Sequence, residues 1–168
     1  FVEKPLCLSL SELNQIQSAY KEAIDLMQRP TVLMVGFNRR FAPHVQKMKQ
    51  LLDEVTGPKS FIMTVNAGAI PQDHWIYDPE KGGGRIIGEA CHLIDLCVYI
   101  SESKVERICL NSLGNDSSKN TDNVSMLLKM KNGSNASINY FSNGSNQYSK
   151  ERVEVYSQNR TWIIDNYE

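Results

Sequence analysis

The 168-residue chain lacks several features that would assign it to a membrane or to a nucleic acid. No apolar run approaches the roughly 20 residues that a membrane-spanning helix needs. Its 18 basic and 19 acidic residues give a net charge of −1, so it has no basic excess for non-specific binding of nucleic acid. With 41% hydrophobic and 22% charged residues, the composition is that of an ordinary globular domain. We therefore expect neither a membrane nor a nucleic acid as its partner.

Paired cysteines and a secretion signal are missing as well. The chain has four scattered cysteines without a C-x-x-C pair: Cys7, Cys91, Cys97 and Cys109. We interpret them as reduced thiols of a cytoplasmic protein. A metal site built from His74, Cys91, His92 and Asp95 is disfavoured, because Cys91 and His92 are adjacent and point to different faces of a helix. No charged region followed by an apolar stretch opens the chain, so no signal peptide is visible.

The spacing of apolar residues predicts helices in the first part of the chain and strands in the second. Ser9 and Glu12 form a capping box at the start of a helix that Pro30 ends. A buried strand at 31–37, a helix from Pro43 to Gly57, a strand at 59–67, an irregular loop at 68–84 and a helix at 85–101 follow. Further strands are predicted at 104–112, 123–130, 134–141, 151–157 and 160–165, with a hairpin turn at Asn132-Gly133.

This order of elements predicts an α+β fold, with a mostly antiparallel open sheet and helices on one face of it. The other face of such a sheet would remain bare. Because large apolar patches rarely stay exposed, we predict that this open face is the interface of a homodimer.

The helix predicted at 85–101 carries a polar stripe on an otherwise apolar surface. The stripe consists of Arg85, Glu89, His92, Asp95 and Tyr99, spaced by three or four residues. It is either a solvated helix face or the wall of a polar pocket. The second interpretation gains support from the glycines at 82–84, which let a ligand approach the backbone, and from His92, which can exchange protons near neutral pH.

Two further groups could carry chemistry, although each has a plain structural explanation. Lys4 lies near the start of the chain, where a lysine is usually a solvated surface residue. Arg39 and Arg40 follow the strand predicted at 31–37, and strand ends are common ligand positions in α/β proteins. A pair of exposed arginines explains the same pattern equally well.

Three short motifs become informative when they are taken together. They are Glu3-Lys4-Pro5, then Gly36-Phe37-Asn38-Arg39-Arg40-Phe41, then Gly82-Gly83-Gly84 with His92-Leu93-Ile94-Asp95-Leu96. In their order and spacing the chain resembles the Gfo/Idh/MocA family, the glucose–fructose oxidoreductase and inositol dehydrogenase-like enzymes. The resemblance covers essentially the whole chain, and its first and last motifs together are quite specific.

The resemblance implies one half of a two-domain enzyme. Family members have an N-terminal Rossmann domain that binds NAD or NADP, followed by an α/β domain for substrate binding and dimerisation. The chain lacks a G-x-G-x-x-G motif and begins with Phe1. Residues 1–36 would then be the tail of a Rossmann domain, and residues 37–168 the second domain, truncated at its C-terminus. As such a fragment, the isolated chain would be inactive.

The same resemblance gives individual residues their expected roles. Lys4 matches the family's catalytic lysine, and His92 matches its proton-exchanging histidine. The residues expected to contact the cofactor are Glu3, Lys4, Pro5 and Arg39, and those expected to contact the substrate are Arg39, Asn66, His74 and Tyr148. The implied reaction is hydride transfer between NAD or NADP and a hydroxyl of a sugar, sugar acid, sugar nucleotide or cyclitol.

One position departs from the family pattern. Many members have an aspartate four residues before the histidine, where this chain has Gly88. Glu89 lies three residues before His92 on the same helical face, and we hypothesise that it orients or polarises His92 as a further catalytic residue. Without a carboxylate partner, His92 would only bind ligand. The alternative function is therefore a non-catalytic ligand-binding or dimerisation module.

Overall fold

The computed structural model describes residues 1–115 and 121–167. Within that part of the chain, the α-helices are α1 (Leu10–Met27), α2 (Pro43–Asp53) and α3 (Cys91–Ser101). The strands are β1 (Ser60–Asn66), β2 (Val105–Ser112), β3 (Val124–Met130), β4 (Asn135–Phe141), β5 (Glu151–Ser157) and β6 (Arg160–Asp165). Shorter helical segments are the 3₁₀ turns Asn38–Phe41 and Trp75–Tyr77 and the π-helical turn Ile86–Ala90.

The six strands form one sheet in the order β2-β3-β4-β1-β5-β6. Only β1 and β4 run parallel among these neighbours, and the other pairs are antiparallel. The tight connection predicted at Asn132-Gly133 joins β3 to β4, and Gly133 takes a φ of 90° there. The mostly antiparallel α+β fold is thereby confirmed. Each strand predicted from residue 59 onward agrees with the structure to within one residue at either end.

The core lies between one face of the sheet and the helices α2 and α3. Alternate strand residues such as Met63, Ile138 and Val155 have no exposed surface, and Leu93 and Ile100 of α3 pack against them at 1% exposure. Truncating one of the large aliphatic side chains to alanine would cost about 2–5 kcal/mol of unfolding free energy. The helices thus lie on one face of the sheet, as predicted.

The opposite face of the sheet carries no helix of the described chain. Ile62, Leu127 and Ile163 are exposed there, around a shallow depression of about 670 Å³. Polar pairs interrupt the apolar surface, such as the Ser60 hydroxyl donating to Asn135 Oδ1 at 2.8 Å. The open face is therefore of mixed character, with an apolar centre.

The strand predicted at 31–37 is the main correction to the sequence analysis. Its only sheet-like pairing in the described chain is a single parallel bridge between Val2 and Val35. The segment is not buried either, because Val32 is 89% exposed and Met34 43% exposed. A β-branched apolar run forms a strand only where neighbouring strands satisfy its backbone, and here Val2 is its sole neighbour.

Helix α1 and the helix predicted at 85–101 also differ in detail from the prediction. The capping box of Ser9 and Glu12 forms as expected, and α1 ends at Met27 with Gln28 in the left-handed conformation. However, α1 buries none of its residues. The helix predicted at 85–101 begins with the π-helical turn before α3. Within the described residues, no helix is both long and apolar enough to cross a membrane.

Candidate functional site

Two arginines fix the 3₁₀ turn Asn38–Phe41 to its surroundings. Arg39 makes a bidentate ion pair with Glu151 at the start of β5, with 2.6 Å between Nη2 and Oε1. Arg40 makes a second bidentate pair with Asp95 of α3, with 2.6 Å between Nε and Oδ2. The hydrogen bond from Arg40 to Asp95 raises the arginine's pKa, although burial opposes the shift. These side chains are thus engaged with acids, which excludes the explanation of two freely exposed arginines.

His92 borders a small cavity beside the Arg39–Glu151 pair. The cavity has a volume of about 260 Å³ and is also lined by Asn38 and Tyr167. His92 Nδ1 and Tyr167 Oη are both buried without a hydrogen-bond partner among the described residues. Because buried polar atoms are normally paired, two unpaired atoms at one cavity indicate a place where a polar ligand or water is accommodated.

The imidazole of His92 is held in its neutral form. Burial lowers its pKa from 6.5 to about 4, and the nearby charges of Arg39 and Lys4 act in the same direction. The ring of Phe37 packs edge-on against it, with 5.9 Å between the ring centroids. At neutral pH the resting imidazole of His92 is therefore free to accept a proton.

Lys4 lies next to the π-helical turn that precedes His92. Its Nζ donates a hydrogen bond of 2.7 Å to the carbonyl oxygen of Gly88. Lys4 also lines a cavity of about 340 Å³ that includes Asn38, the residue shared with the His92 cavity. The structure thus places Lys4 and His92 on adjoining cavities, and the half-buried Lys4 is not simply a solvated surface residue.

Glu89 is engaged away from His92 in this structure. Its carboxylate accepts hydrogen bonds from the Tyr140 hydroxyl and from Arg85 Nε, the latter at 3.2 Å. Burial opposes ionisation of Glu89, but the bonds from Tyr140 and Arg85 outweigh it and lower the pKa of this carboxyl. Among the described residues, Glu89 affects His92 only through its charge, which opposes the fall of the histidine's pKa. The described residues show no hydrogen bond by which Glu89 would orient His92, whereas the effect of its charge agrees with the hypothesis that it polarises the imidazole.

Arg85 connects the polar stripe to the loop before it. Its guanidinium is almost fully buried at 4% exposure and donates hydrogen bonds to the carbonyl oxygens of Gly68 at 2.6 Å and Ala67 at 3.3 Å. The cation also lies over the ring of Tyr140, 5.6 Å from its centroid. Arg85, His92 and Asp95 are all buried, so the polar stripe is an internal wall and not a solvated helix face.

His74 and Trp75 border the same cavity as Lys4. This cavity of about 650 Å³ is lined by Lys4, Gly88 and Glu89 and by the loop bearing His74 and Trp75. His74 is therefore brought to the same region as Lys4. Its Nδ1 accepts a hydrogen bond of 3.3 Å from the backbone N–H of Ile76, so His74 caps the 3₁₀ turn Trp75–Tyr77.

Asn66 and Tyr148 are not brought to these cavities. Asn66 Nδ2 donates to the carbonyl oxygen of Ser145 at 2.7 Å, and the loop packs so closely that a Cβ at Gly144 would lie 2.2 Å from Asn66 Oδ1. Tyr148, in the same loop, is 68% exposed. Both residues line none of the three cavities around Lys4 and His92. Asn66 thus holds a loop in place in this structure.

Sequence reasoning missed three residues of the site: Tyr140, Glu151 and Tyr167. Glu151 had a detectable signal, because it occupies an inward-facing position of a strand whose other inward residues are Val153 and Val155. An acid in such a register indicates a buried partner. Tyr140 and Tyr167 had no comparable signal, since an inward tyrosine is equally typical of an ordinary core.

No group of three or more metal-binding side chains occurs in residues 1–115 and 121–167.

Comparison with known proteins places the chain in context. Residues 45–163 match the family described as GFO/IDH/MocA C-terminal domain. The chain is 28% identical over 173 residues to the uncharacterized oxidoreductase YrbE of Bacillus subtilis, covering 99% of this chain and 48% of that protein. It is 28% identical over 110 residues to the myo-inositol 2-dehydrogenase of Thermotoga maritima, covering 64% of this chain and 30% of that protein.

A solved structure has a similar fold. It is the myo-inositol dehydrogenase from Lactobacillus casei in complex with NAD(H) and myo-inositol, with a TM-score of 0.71 and 18% identity. The alignment covers 99% of this chain and 47% of that one. The chain therefore spans about half the length of YrbE and of this enzyme.

Proposed function

The chain belongs to the GFO/IDH/MocA family, and from its match to the C-terminal domain we propose that it is the substrate-binding half of an NAD(P)-dependent oxidoreductase. Its substrate would be a sugar, sugar nucleotide or cyclitol with a secondary hydroxyl. The observation that carries this proposal is the pair of adjoining cavities at Lys4 and His92, one of which has two unpaired buried polar atoms. A cation and a neutral base at adjoining cavities suit the interconversion of an alcohol and a ketone.

The residues beside Lys4 fit the nicotinamide end of such a cofactor. The cavity of about 340 Å³ there is walled by Met34 and Phe41, which suits a flat ring. The cavity is narrow beside Gly36, where an added Cβ would come within 2.9 Å of the Phe1 ring. Glu3, Lys4, Pro5 and Arg39 are the residues proposed to hold the cofactor. When bound, the nicotinamide would supply or accept the hydride.

The chain's own residues would manage the proton and the charge on oxygen. We assign the proton of the reacting hydroxyl to the imidazole of His92, because it borders the cavity and is neutral at pH 7. The Lys4 ammonium would donate a hydrogen bond to the same oxygen and stabilise its developing negative charge. In the reverse direction, His92 would first take up a proton from solvent and then deliver it to the oxygen that forms from the carbonyl.

The exposed apolar side chains in residues 1–36 support a division of the chain into two parts. The helix α1 buries no residue, and the segment at 31–37 exposes Val32 and Met34. We propose that residues 1–36 belong with the dinucleotide-binding half and residues 37–168 with the substrate and dimerisation half. Alone, the chain would lack the means to hold the dinucleotide and would be inactive. The four unpaired cysteines support a cytoplasmic location.

A homodimer through the open face of the sheet is part of the same proposal. The support is the apolar centre of that face, where Ile62 and Leu127 are exposed. A second copy would cover these side chains with an identical surface, as in a two-fold symmetric dimer.

One observation favours the alternative, a non-catalytic ligand-binding module. Glu89 is bound by Arg85 and Tyr140, position 88 is a glycine, and Nδ1 of His92 has no hydrogen-bond partner among the described residues. In this alternative the cavity residues would bind ligand without proton transfer.

Turnover measurements separate the two functions. The protein encoded by the complete reading frame would be tested for reduction of NAD⁺ and NADP⁺ by a panel of sugars, sugar nucleotides and inositols. We expect His92→Asn and Lys4→Met each to lower kcat/KM at least about 100-fold. The control Lys47→Met changes an exposed lysine on α2 and should retain wild-type turnover. Ligand binding without any turnover would instead establish the binding module.

A further inference from the structure

The larger of the two described cavities at Lys4 has an aromatic wall that the proposed chemistry does not use. Trp75 borders this cavity of about 650 Å³ together with Lys4 and Glu89, and its side chain is 61% exposed. The neighbouring ring of His74 lies 5.7 Å away, tilted by 34°. Two adjacent rings therefore form an aromatic surface on the cavity that contains the proposed catalytic lysine.

The backbone that presents Trp75 is tightly fixed. A Cβ at Gly82 would lie 2.2–2.4 Å from backbone atoms of Ile76, so the two segments are in direct contact. The N–H of Gly84 donates to the carbonyl oxygen of Ile76 at 2.8 Å, and the Ile76 side chain is only 7% exposed. Because the loop is already ordered, a ligand that stacks on Trp75 would lose little affinity to ordering the backbone.

The hydrogen bonding of His74 determines what its ring can offer to a ligand. Nδ1 accepts the N–H of Ile76 at 3.3 Å, so the neutral ring carries its proton on Nε2. His74 therefore presents an N–H donor at the edge of the aromatic surface. An apolar ring face next to a fixed donor matches a polyhydroxylated six-membered ring, whose axial C–H groups form an apolar face and whose equatorial hydroxyls accept hydrogen bonds.

We propose that His74 and Trp75 form a subsite that binds the six-membered ring of the substrate, with the ring's C–H face on the indole and a hydroxyl accepting from His74 Nε2. The proposal rests on the proposed function for the identity of the ligand as a polyol. It goes beyond that function in assigning to Trp75 the selection of a ring over an open-chain polyol. The pyranose of a sugar and the ring of a cyclitol share this chemistry.

The two tryptophans allow a direct test by NMR of the ¹⁵N-labelled chain. Trp75 and Trp162 each give one indole N–H resonance, and Trp162 packs against the core. The probes are methyl β-D-glucopyranoside, myo-inositol and the open-chain polyol sorbitol. We expect saturable shifts of the Trp75 resonance with at least one cyclic probe, weaker effects of sorbitol, and no shift of Trp162.

Variants give the matched controls. Trp75→Ala should weaken binding of the cyclic probe at least about tenfold, whereas Trp75→Phe should retain most of it because an aromatic face remains. His74→Asn keeps an acceptor for the Ile76 N–H but loses the ring donor, and should weaken binding several-fold. Trp162→Phe assigns the resonances and should bind as wild type. Unchanged thermal unfolding of Trp75→Ala would exclude a folding defect.

Several outcomes would overturn the subsite. These are equal binding by the wild type and Trp75→Ala, an equal response to sorbitol and the rings, and a Trp75 shift caused by NADH but by no polyol. The last result would assign the indole to the cofactor. The proposed function is tested separately by turnover. Turnover that is insensitive to Trp75→Ala would refute the subsite alone, and Trp75-dependent ring binding without turnover would refute the enzyme alone.

Discussion

His92 is the residue whose surroundings most clearly set its chemistry. Burial and the charges of Arg39 and Lys4 lower its pKa to about 4, which leaves a neutral imidazole at pH 7. The unfolded chain would protonate the same histidine near pH 6.5. Between these two values the unfolded state binds more protons than the folded state, so stability must fall as the pH falls.

We therefore predict a loss of stability on acidification that is specific to His92. Between pH 6.5 and pH 4 it should amount to about 1–3 kcal/mol of unfolding free energy. Urea unfolding of the wild type and His92→Asn across this range would measure it as the difference between their pH dependences. Parallel curves for the wild type and His92→Asn would refute the prediction.

At the scale of residues, the sequence could indicate chemistry but not contacts. The polar stripe through Glu89 and His92 was found because helical spacing is local. The hydrogen-bond partners of these residues were not found, because they are distant in sequence. Tyr140, for example, lies 51 residues from Glu89 along the chain. Likewise, the sequence placed Arg39 at a ligand position without revealing that Glu151, 112 residues away, holds it. Only the fold brings such partners together.

At the scale of elements, the 3₁₀ turn Asn38–Phe41 depends on its two ion pairs. Arg39 attaches it to β5 and Arg40 attaches it to α3. The side chains of Arg39 and Glu151 are 21% and 10% exposed, so removing one charge leaves the other poorly solvated. The turn carries Asn38, which borders both the Lys4 and the His92 cavities.

Glu151→Gln should accordingly destabilise the fold by about 2–4 kcal/mol, because it leaves Arg39 without its anion. Asp165→Asn is the matched control. It breaks the pair of Arg152 and Asp165 on the open face, whose side chains are 37% and 47% exposed, and should cost less than about 1 kcal/mol. Denaturant unfolding of both variants measures the two costs. Equal costs would show that the Arg39 pair has no special role.

The loop of residues 68–84 provides a second prediction at this scale. Gly82→Ala would place a Cβ within 2.4 Å of the Ile76 backbone and should destabilise the protein by about 2–4 kcal/mol. Gly88→Ala approaches nothing more closely than the end of the Ile76 side chain, at 3.3 Å, and should change stability by less than about 1 kcal/mol. Thermal unfolding compares the pair. A tolerated Gly82→Ala would contradict the fixed loop that presents Trp75.

Element boundaries could be predicted where they depend on the local sequence pattern. They could not be predicted where they depend on pairing with neighbouring elements. Alternating residues and turn signals located the strands from residue 59 onward to within one residue. The apolar run at 31–37 has the same local pattern, yet it pairs only through Val2 and Val35. The π-helical turn Ile86–Ala90 was also not predicted, because its residues are compatible with an ordinary α-helix.

At the scale of the whole molecule, the two faces of the sheet explain the architecture. One face is covered by α2 and α3, and the apolar centre of the other is exposed around Leu127. The order of elements in the sequence predicted this asymmetry, since helices and strands alternate only in the first part of the chain. The strand order, with β1 inserted between β4 and β5, could not be predicted because it depends on long-range pairing.

We predict that the open face mediates a dimer, which sedimentation equilibrium would detect. Leu127→Lys should shift the protein toward monomer, because it places a charge at the apolar centre of the face. Ile108→Lys is the matched control: Ile108 is similarly exposed, at 51% against 58%, but its register opposite Leu128 places it on the helix-bearing side of the edge strand. A monomeric wild type, or equal effects of both variants, would contradict the interface.

The most direct test of the central claim is isotope transfer by the protein encoded by the complete reading frame. NADH or NADPH deuterated at the transferring position of the nicotinamide would be incubated with ketone forms of pyranosides and inositols, and the products analysed by mass spectrometry. The account predicts one deuterium on the new carbinol carbon, with transfer slowed at least about 100-fold in His92→Asn. Absence of deuterium from every product would contradict the assignment as an oxidoreductase.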